Sequence, residues 1–138
     1  MTFQSVSKIA IGLAAGVALA ALALQPAFAK TDLLIYTAIE ADELAKFKKA
    51  IEDAVPDVDI KWVRDSTGII TSKLLAEKDN PRADMVYGTA ATSLVLLANQ
   101  GYFEGYAPKG IDKLDKRYYD AKNNPPQWVG QRVYAAAI

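Results

Sequence analysis

Three short apolar runs, each followed by a longer stretch with helical spacing, constrain this chain more than any other feature. "DLLIYT" (Asp32–Thr37) reads as a fully buried strand, and "VDIKWV" (Val58–Val63) alternates and is mostly β-branched or aromatic. "MVYG" (Met85–Gly88) is a third, shorter strand. In the intervening "EADELAKFKKAIEDAV", Leu44, Phe47, Ile51 and Val55 recur at intervals of three and four, which marks one helical face, and Pro56 ends the helix. A second helix is expected over Ile69–Lys78 with Ile70, Leu74 and Leu75 inward, then a turn at "NPRAD" (Asn80–Asp84). A third spans Ala90–Gly101, closed by Gly101. Strand and helix in alternation predict an α/β fold: a mostly parallel open sheet with helices on both faces. Beyond Gly101 the pattern is irregular, with short helical turns expected at Ile111–Asp115 and Arg117–Ala121 and a further strand beginning in "QRVYAAAI" (Gln131–Ile138).

The segment ahead of the first strand has another purpose. Lys8 precedes the charge-free run "IAIGLAAGVALAALAL" (Ile9–Leu24), and "QPAFA" then places Ala27 and Ala29 in a small-x-small pattern. This predicts a secretory signal over residues 1–29, cleaved after Ala29; a transmembrane anchor is the alternative. No Cys stands at the cleavage point, so no lipid anchor is expected there. The mature chain, Lys30–Ile138, suffices for one small domain, expected as a monomer in the periplasm of a Gram-negative cell without a stable membrane anchor.

Composition removes several chemistries. The chain has no Cys and no His, which excludes zinc sites of the usual kind and His-dependent nucleophilic catalysis within it. Sixteen basic residues balance 16 acidic ones, which argues against a nucleic-acid partner. No cofactor motif is present, and no Gly-Lys-Ser/Thr follows a strand to make a P-loop.

In an open parallel sheet, ligands sit outside the carboxyl ends of the strands. Three loops qualify here: "YTAIE" (Tyr36–Glu40), "RDSTG" (Arg64–Gly68) and "GTAATS" (Gly88–Ser93). Each puts small hydroxyl residues where a helix begins. Helix starts offer unpaired N–H groups and a positive dipole end, and Gly permits close backbone approach, so three converging starts would hold a tetrahedral anion. Each loop alone is also explained as an ordinary N-cap. Glu40 and Asp65 are open to pairing with a ligand ammonium, to capping their own helices, or to acid–base work on a phosphorylated substrate. Tyr118–Tyr119, Trp62 and Trp128 read as packing aromatics.

The stretches "KWVRDSTG", "KLLAEK" followed by "NPRAD", "GTAATSLVLL" and "PPQWVG" resemble the N-terminal lobe of periplasmic binding proteins of ABC transporters. The group most similar is the 2-aminoethylphosphonate-binding proteins, relatives of the ferric-iron-binding proteins. The resemblance implies two α/β lobes closing on a solute, delivery to an ABC permease, and no enzymatic chemistry. It implies a ligand-binding rim formed by Tyr36, Thr37, Ala38 and Glu40, by Asp65, Ser66, Thr67 and Gly68, and by Thr89, Ala90 and Ala91. Glu40 stands near the position of an iron-ligating His in the iron-binding relatives, and Thr89 near that of a Glu, so no metal site is expected. Ferric iron, another small anion, or a non-functional lone lobe are the alternatives. The chain is less than half the length the family implies, so Lys30–Ile138 reads as a truncated first lobe whose second lobe is missing.

Overall fold

The computed structural model describes residues 29–133. The expected signal segment lies outside these residues except for Ala29, as does most of the strand expected at Gln131–Ile138; residues 131–133 themselves are not in a strand. In chain order the elements are β1 (Thr31–Thr37), α1 (Ala41–Ala54), β2 (Val58–Arg64), α2 (Thr67–Ala76), β3 (Met85–Tyr87) and α3 (Ala91–Asn99). Two short 3-10 turns follow, Ile111–Lys113 and Lys116–Tyr118.

The sheet has the order β2-β1-β3 and every pair is parallel. β1 is therefore central, which suits its apolar run: Ile35, Tyr36 and Thr37 are buried. Just below β3, Asp84 extends the pairing with a side chain, its carboxylate accepting the Leu34 N–H at 2.8 Å while its own N–H donates to the Leu34 carbonyl at 2.9 Å. Successive side chains of a strand point to opposite faces. Tyr36 reaches Glu77 at the end of α2, whereas Tyr87, in register with Thr37, packs edge-on against Phe47 of α1 at 5.6 Å. Thus α1 covers one face and α2 the other, with α3 beside α2. The chain moves one way from β1 to β2 and back across β1 to β3. That reversal is what puts the connecting helices on opposite faces of a doubly wound sheet.

The helices begin and end for local reasons. α1 carries Asp42 and Glu43 in its first turn, favourable at the positive end of the helix, and stops before Pro56. Ser66 caps α2, its Oγ accepting the Ile69 N–H at 3.4 Å. That cap starts α2 at Thr67, two residues earlier than the apolar spacing predicts, and brings Gly68 into its first turn. Gly101, at φ 77°, ends the segment after α3. The expected inward set needs two corrections. Val55 lies just past the last turn of α1 and is 48% exposed, and Leu75 is on the outer side of α2. The buried apolar core is Ile35, Tyr36, Ile39, Ile60, Ile70 and Leu97.

The irregular segment is organised around Asp120, which is buried. Its carboxylate accepts from the Asn123 side chain at 2.8 Å and from the N–H groups of Lys122 and Gln127. Tyr119 and Val129 form an antiparallel bridge next to it. Tyr118, expected as a packing aromatic, is exposed beneath the Arg117 guanidinium, whereas Tyr119 is half-buried in this loop.

Candidate functional site

Parallel pairing sets Thr37 opposite both Arg64 and Tyr87, so all three strands finish at one level. The loops 38–40, 65–66 and 88–90 therefore share one end of the sheet. The loop after β1 turns to the α1 face, while those after β2 and β3 turn to the other. Adjacent strands whose exits diverge leave a crevice between them, which is where open α/β sheets bind ligands.

The expected residues take different positions within this rim. Thr89 is half-buried, and its hydroxyl oxygen is fully covered with no hydrogen-bond partner among the described residues. A buried hydroxyl without a protein partner is costly in a folded protein. Thr67 and Gly68 open α2, and no described acceptor meets either of their N–H groups. The space in front of Gly68 is open: a Cβ built there meets nothing within 4 Å. Asp65 is exposed beside them, its Oδ1 accepting the Ser66 N–H at 2.7 Å. Ala90 and Ala91 begin α3 without a side-chain cap; the Ser93 N–H donates to the Ala90 carbonyl at 3.0 Å, and no described acceptor meets the N–H groups of Ala91 and Thr92.

Other expected residues are engaged elsewhere. The Tyr36 hydroxyl donates to Glu77 at 2.9 and 3.1 Å, under Lys73, well away from the rim. Burial raises the pKa of this phenol, and the adjacent Glu77 carboxylate adds to the shift. Thr37 is fully buried, and its Oγ1 accepts the Ile39 N–H at 3.1 Å, so its oxygen closes the turn after β1. Glu40 pairs with Arg64 at 2.9 Å, which neutralises it. Ser66 spans both roles, capping α2 at the rim's edge. Ala38 is half-buried in the first loop.

Three residues outside the expected set, Ile39, Arg64 and Gly88, hold the rim together. Gly88 has φ 71°, a left-handed conformation that favours glycine, and a Cβ on it would lie 2.2 Å from Ile39 Cγ1. Arg64 Nε donates to the Ile39 carbonyl at 3.0 Å. Nothing local in "YTAIE" marks Ile39 for this place, because its partners come from distant loops.

Trp62 Nε1 is also buried without a partner among the described residues, but it lies beside Tyr87 on the α1 face, inside the strand. A cavity of about 220 Å³ lies at the opposite end of the sheet, lined in part by Lys78, Arg82, Met85 and Tyr102. It is remote from the strand ends where the unpaired groups gather. No described helix is long and apolar enough to cross a membrane.

No family model matches the chain. It is 31% identical over 119 residues to a probable ABC transporter periplasmic-binding protein of Sinorhizobium fredii, covering 86% of this chain and 32% of that protein. It is 27% identical over 124 residues to an uncharacterized protein of Haemophilus influenzae, covering 89% of this chain and 36% of that one. The chain thus spans about a third of the length of these curated relatives. Among solved structures, the periplasmic binding protein AfuA of Actinobacillus pleuropneumoniae, with fructose-6-phosphate bound, superposes with a TM-score of 0.60 at 28% identity. That match covers 65% of this chain and 28% of AfuA. Iron-bound HitA of Pseudomonas aeruginosa matches in fold, with a TM-score of 0.60 at 20% identity over 66% of this chain and 29% of HitA. The parallel open sheet with helices on both faces is the architecture of a periplasmic-binding-protein lobe.

Proposed function

We propose that the chain belongs to the periplasmic solute-binding proteins of ABC transporters and captures a small organophosphonate, 2-aminoethylphosphonate, for delivery to a permease. It performs no chemistry on the solute. It works in the periplasm after removal of residues 1–29, and Lys30–Ile138 supplies one half of a two-lobed cleft.

The observation that carries this reading is the buried Thr89 hydroxyl without a partner among the described residues, in the loop that leaves the same end of the sheet as the open first turn of α2. Hydroxyl donors, backbone N–H groups and helix dipoles together suit a tetrahedral oxyanion. In this reading Thr89, Ser66, Thr67 and the N–H groups of Thr67, Gly68 and Ala91 hold the phosphonate, with the Ala38 and Ala90 backbone beside them. Asp65, rather than the neutralised Glu40, pairs the amine. The fructose-6-phosphate of AfuA supports a phosphorus oxyanion as the shared chemistry. Iron is the weaker reading: the chain has no His or Cys, and no three acidic residues cluster as a metal-ligand set among the described residues.

The test is an NMR titration of Lys30–Ile138, which reads weak binding residue by residue. The ligands are 2-aminoethylphosphonate, inorganic phosphate, fructose 6-phosphate and ferric citrate. The expected result is saturable shifts at Thr67, Gly68 and Thr89, strongest with 2-aminoethylphosphonate and reduced by Asp65→Asn for that ligand alone. Preference for phosphate or the sugar phosphate would replace the ligand while keeping the site. Binding of ferric citrate without response to the phosphonate would refute the assignment.

A further inference from the structure

We propose that Ile39 is the positioning residue of this rim, joining all three strand-end loops without itself touching solute. The proposal rests on the reading that solute binds at the strand ends. Ile39 lies in a connecting loop, immediately before exposed Glu40, yet is only 2% exposed. Loop residues normally face solvent, so its burial calls for a cause.

Three contacts supply that cause, each to a different part of the rim. The Ile39 N–H donates to Thr37 Oγ1 at 3.1 Å, which shapes its own loop. Its carbonyl accepts from Arg64 Nε at 3.0 Å, at the last residue of β2. Its side chain presses on Gly88 so closely that a Cβ there would meet Cγ1 at 2.2 Å and Cδ1 at 2.6 Å. Gly88 immediately precedes Thr89, so the Ile39 side chain sets where the orphaned hydroxyl stands. Packed interiors adjust in discrete steps, and hydrogen bonds weaken steeply once donor and acceptor are displaced. A residue that fixes the separation of the first and third loops therefore governs which oxyanion fits between them. Arg64 adds the second loop to the same unit and holds Glu40 in its ion pair.

The test separates positioning from ordinary core packing. Ile39→Ala, Ile39→Val and Gly88→Ala are compared with wild type by amide hydrogen exchange and NMR. Expected for Ile39→Ala is faster exchange confined to Gly88–Ala91, a shifted Thr89 methyl signal, and unchanged exchange around Ile70 and Leu97. Ile39→Val restores the wild-type pattern, and Gly88→Ala disturbs the same loop from the other side. With 2-aminoethylphosphonate as probe, Ile39→Ala binds about tenfold more weakly and Ile39→Val within about threefold of wild type. Unchanged exchange at Gly88–Ala91, or acceleration spread evenly through the α2–α3 core, would overturn the proposal. If wild type binds neither the phosphonate nor inorganic phosphate, the solute-site reading fails, while the exchange comparison still decides whether Ile39 couples the loops. Should Ile39→Ala not fold, the exchange patterns of Ile39→Val and Gly88→Ala decide it alone.

Discussion

At the scale of single residues, Thr89 and Gly88 make opposite demands on the third loop. The Thr89 hydroxyl is buried with no partner among the described residues. Thr89→Val keeps the shape and removes the orphan group. We expect it to leave urea stability unchanged or raise it by up to about 1 kcal/mol, while weakening oxyanion binding about 10- to 100-fold. A variant that loses stability instead would indicate that the hydroxyl already has a partner. Gly88 is constrained twice, by its positive φ and by Ile39 against its Cα. Gly88→Ala is expected to cost at least about 1 kcal/mol in the same measurement, since it meets both strain and overlap. Glu40 illustrates a different point: as a bare carboxylate it reads as a partner for an amine, yet a guanidinium 24 positions away already occupies it.

At the scale of elements, the first half of β2 is protected by charge. β2 is an edge strand, and edges that present unpaired backbone invite further strands. Lys48 and Lys61 both bind Asp59 there, and Glu52 accepts the Ile60 N–H at 2.8 Å. These contacts hold the Asp59 carboxyl far below the ordinary carboxylate range, with the Lys48 hydrogen bond as the largest cause. The groups are partly solvated, so screening keeps their individual contributions small. The Asp120 loop is a better pH reporter because its carboxylate is 5% exposed. The Asn123 side chain, followed by the Gln127 and Lys122 N–H groups, lowers its pKa against the effect of burial. A depressed folded value means the stabilisation is complete above the unfolded value of about 3.9 and is lost as pH falls through the folded one. Trp128 fluorescence, in a Trp62→Phe background, should therefore stay constant at neutral pH and change only on acidification below about pH 4. Asp120→Ala leaves several donors unpaired and is expected to lower stability by about 2–3 kcal/mol in chemical unfolding. The cap of α2 has less weight: Ser66→Ala should cost about 0.5 kcal/mol, the low end for such caps given its 3.4 Å bond.

At the scale of the whole molecule, if the rim is one half of the proposed two-lobed cleft, this lobe alone leaves one side of a bound solute facing water. A cleft that closes around its ligand contacts it from both lobes and excludes solvent, which strengthens every polar contact inside. The described lobe alone should therefore bind orders of magnitude more weakly than a two-lobed protein carrying the same rim. Isothermal titration of Lys30–Ile138 with 2-aminoethylphosphonate tests this directly, and micromolar affinity for the lone lobe would contradict it.

The chain's own order of residues determined the elements and their class. Periodicity located three strands and three helices within a few residues, because a parallel strand buried on both faces must be continuously apolar and a helix must repeat every three or four positions. The same order marked the hydroxyl-rich loops, since parallel strands oblige every loop that follows one to emerge at one end. Which of those loop residues remain available was decided only by tertiary packing. Tyr36 turned beneath the sheet to Glu77, Thr37 closed its own turn, and Glu40 met Arg64. Thr89 was left with a buried hydroxyl and no partner among the described residues, and Ile39 was drawn from a loop into the core. A side chain's availability depends on distant groups that reach it in three dimensions, and spacing along the chain carries no record of them.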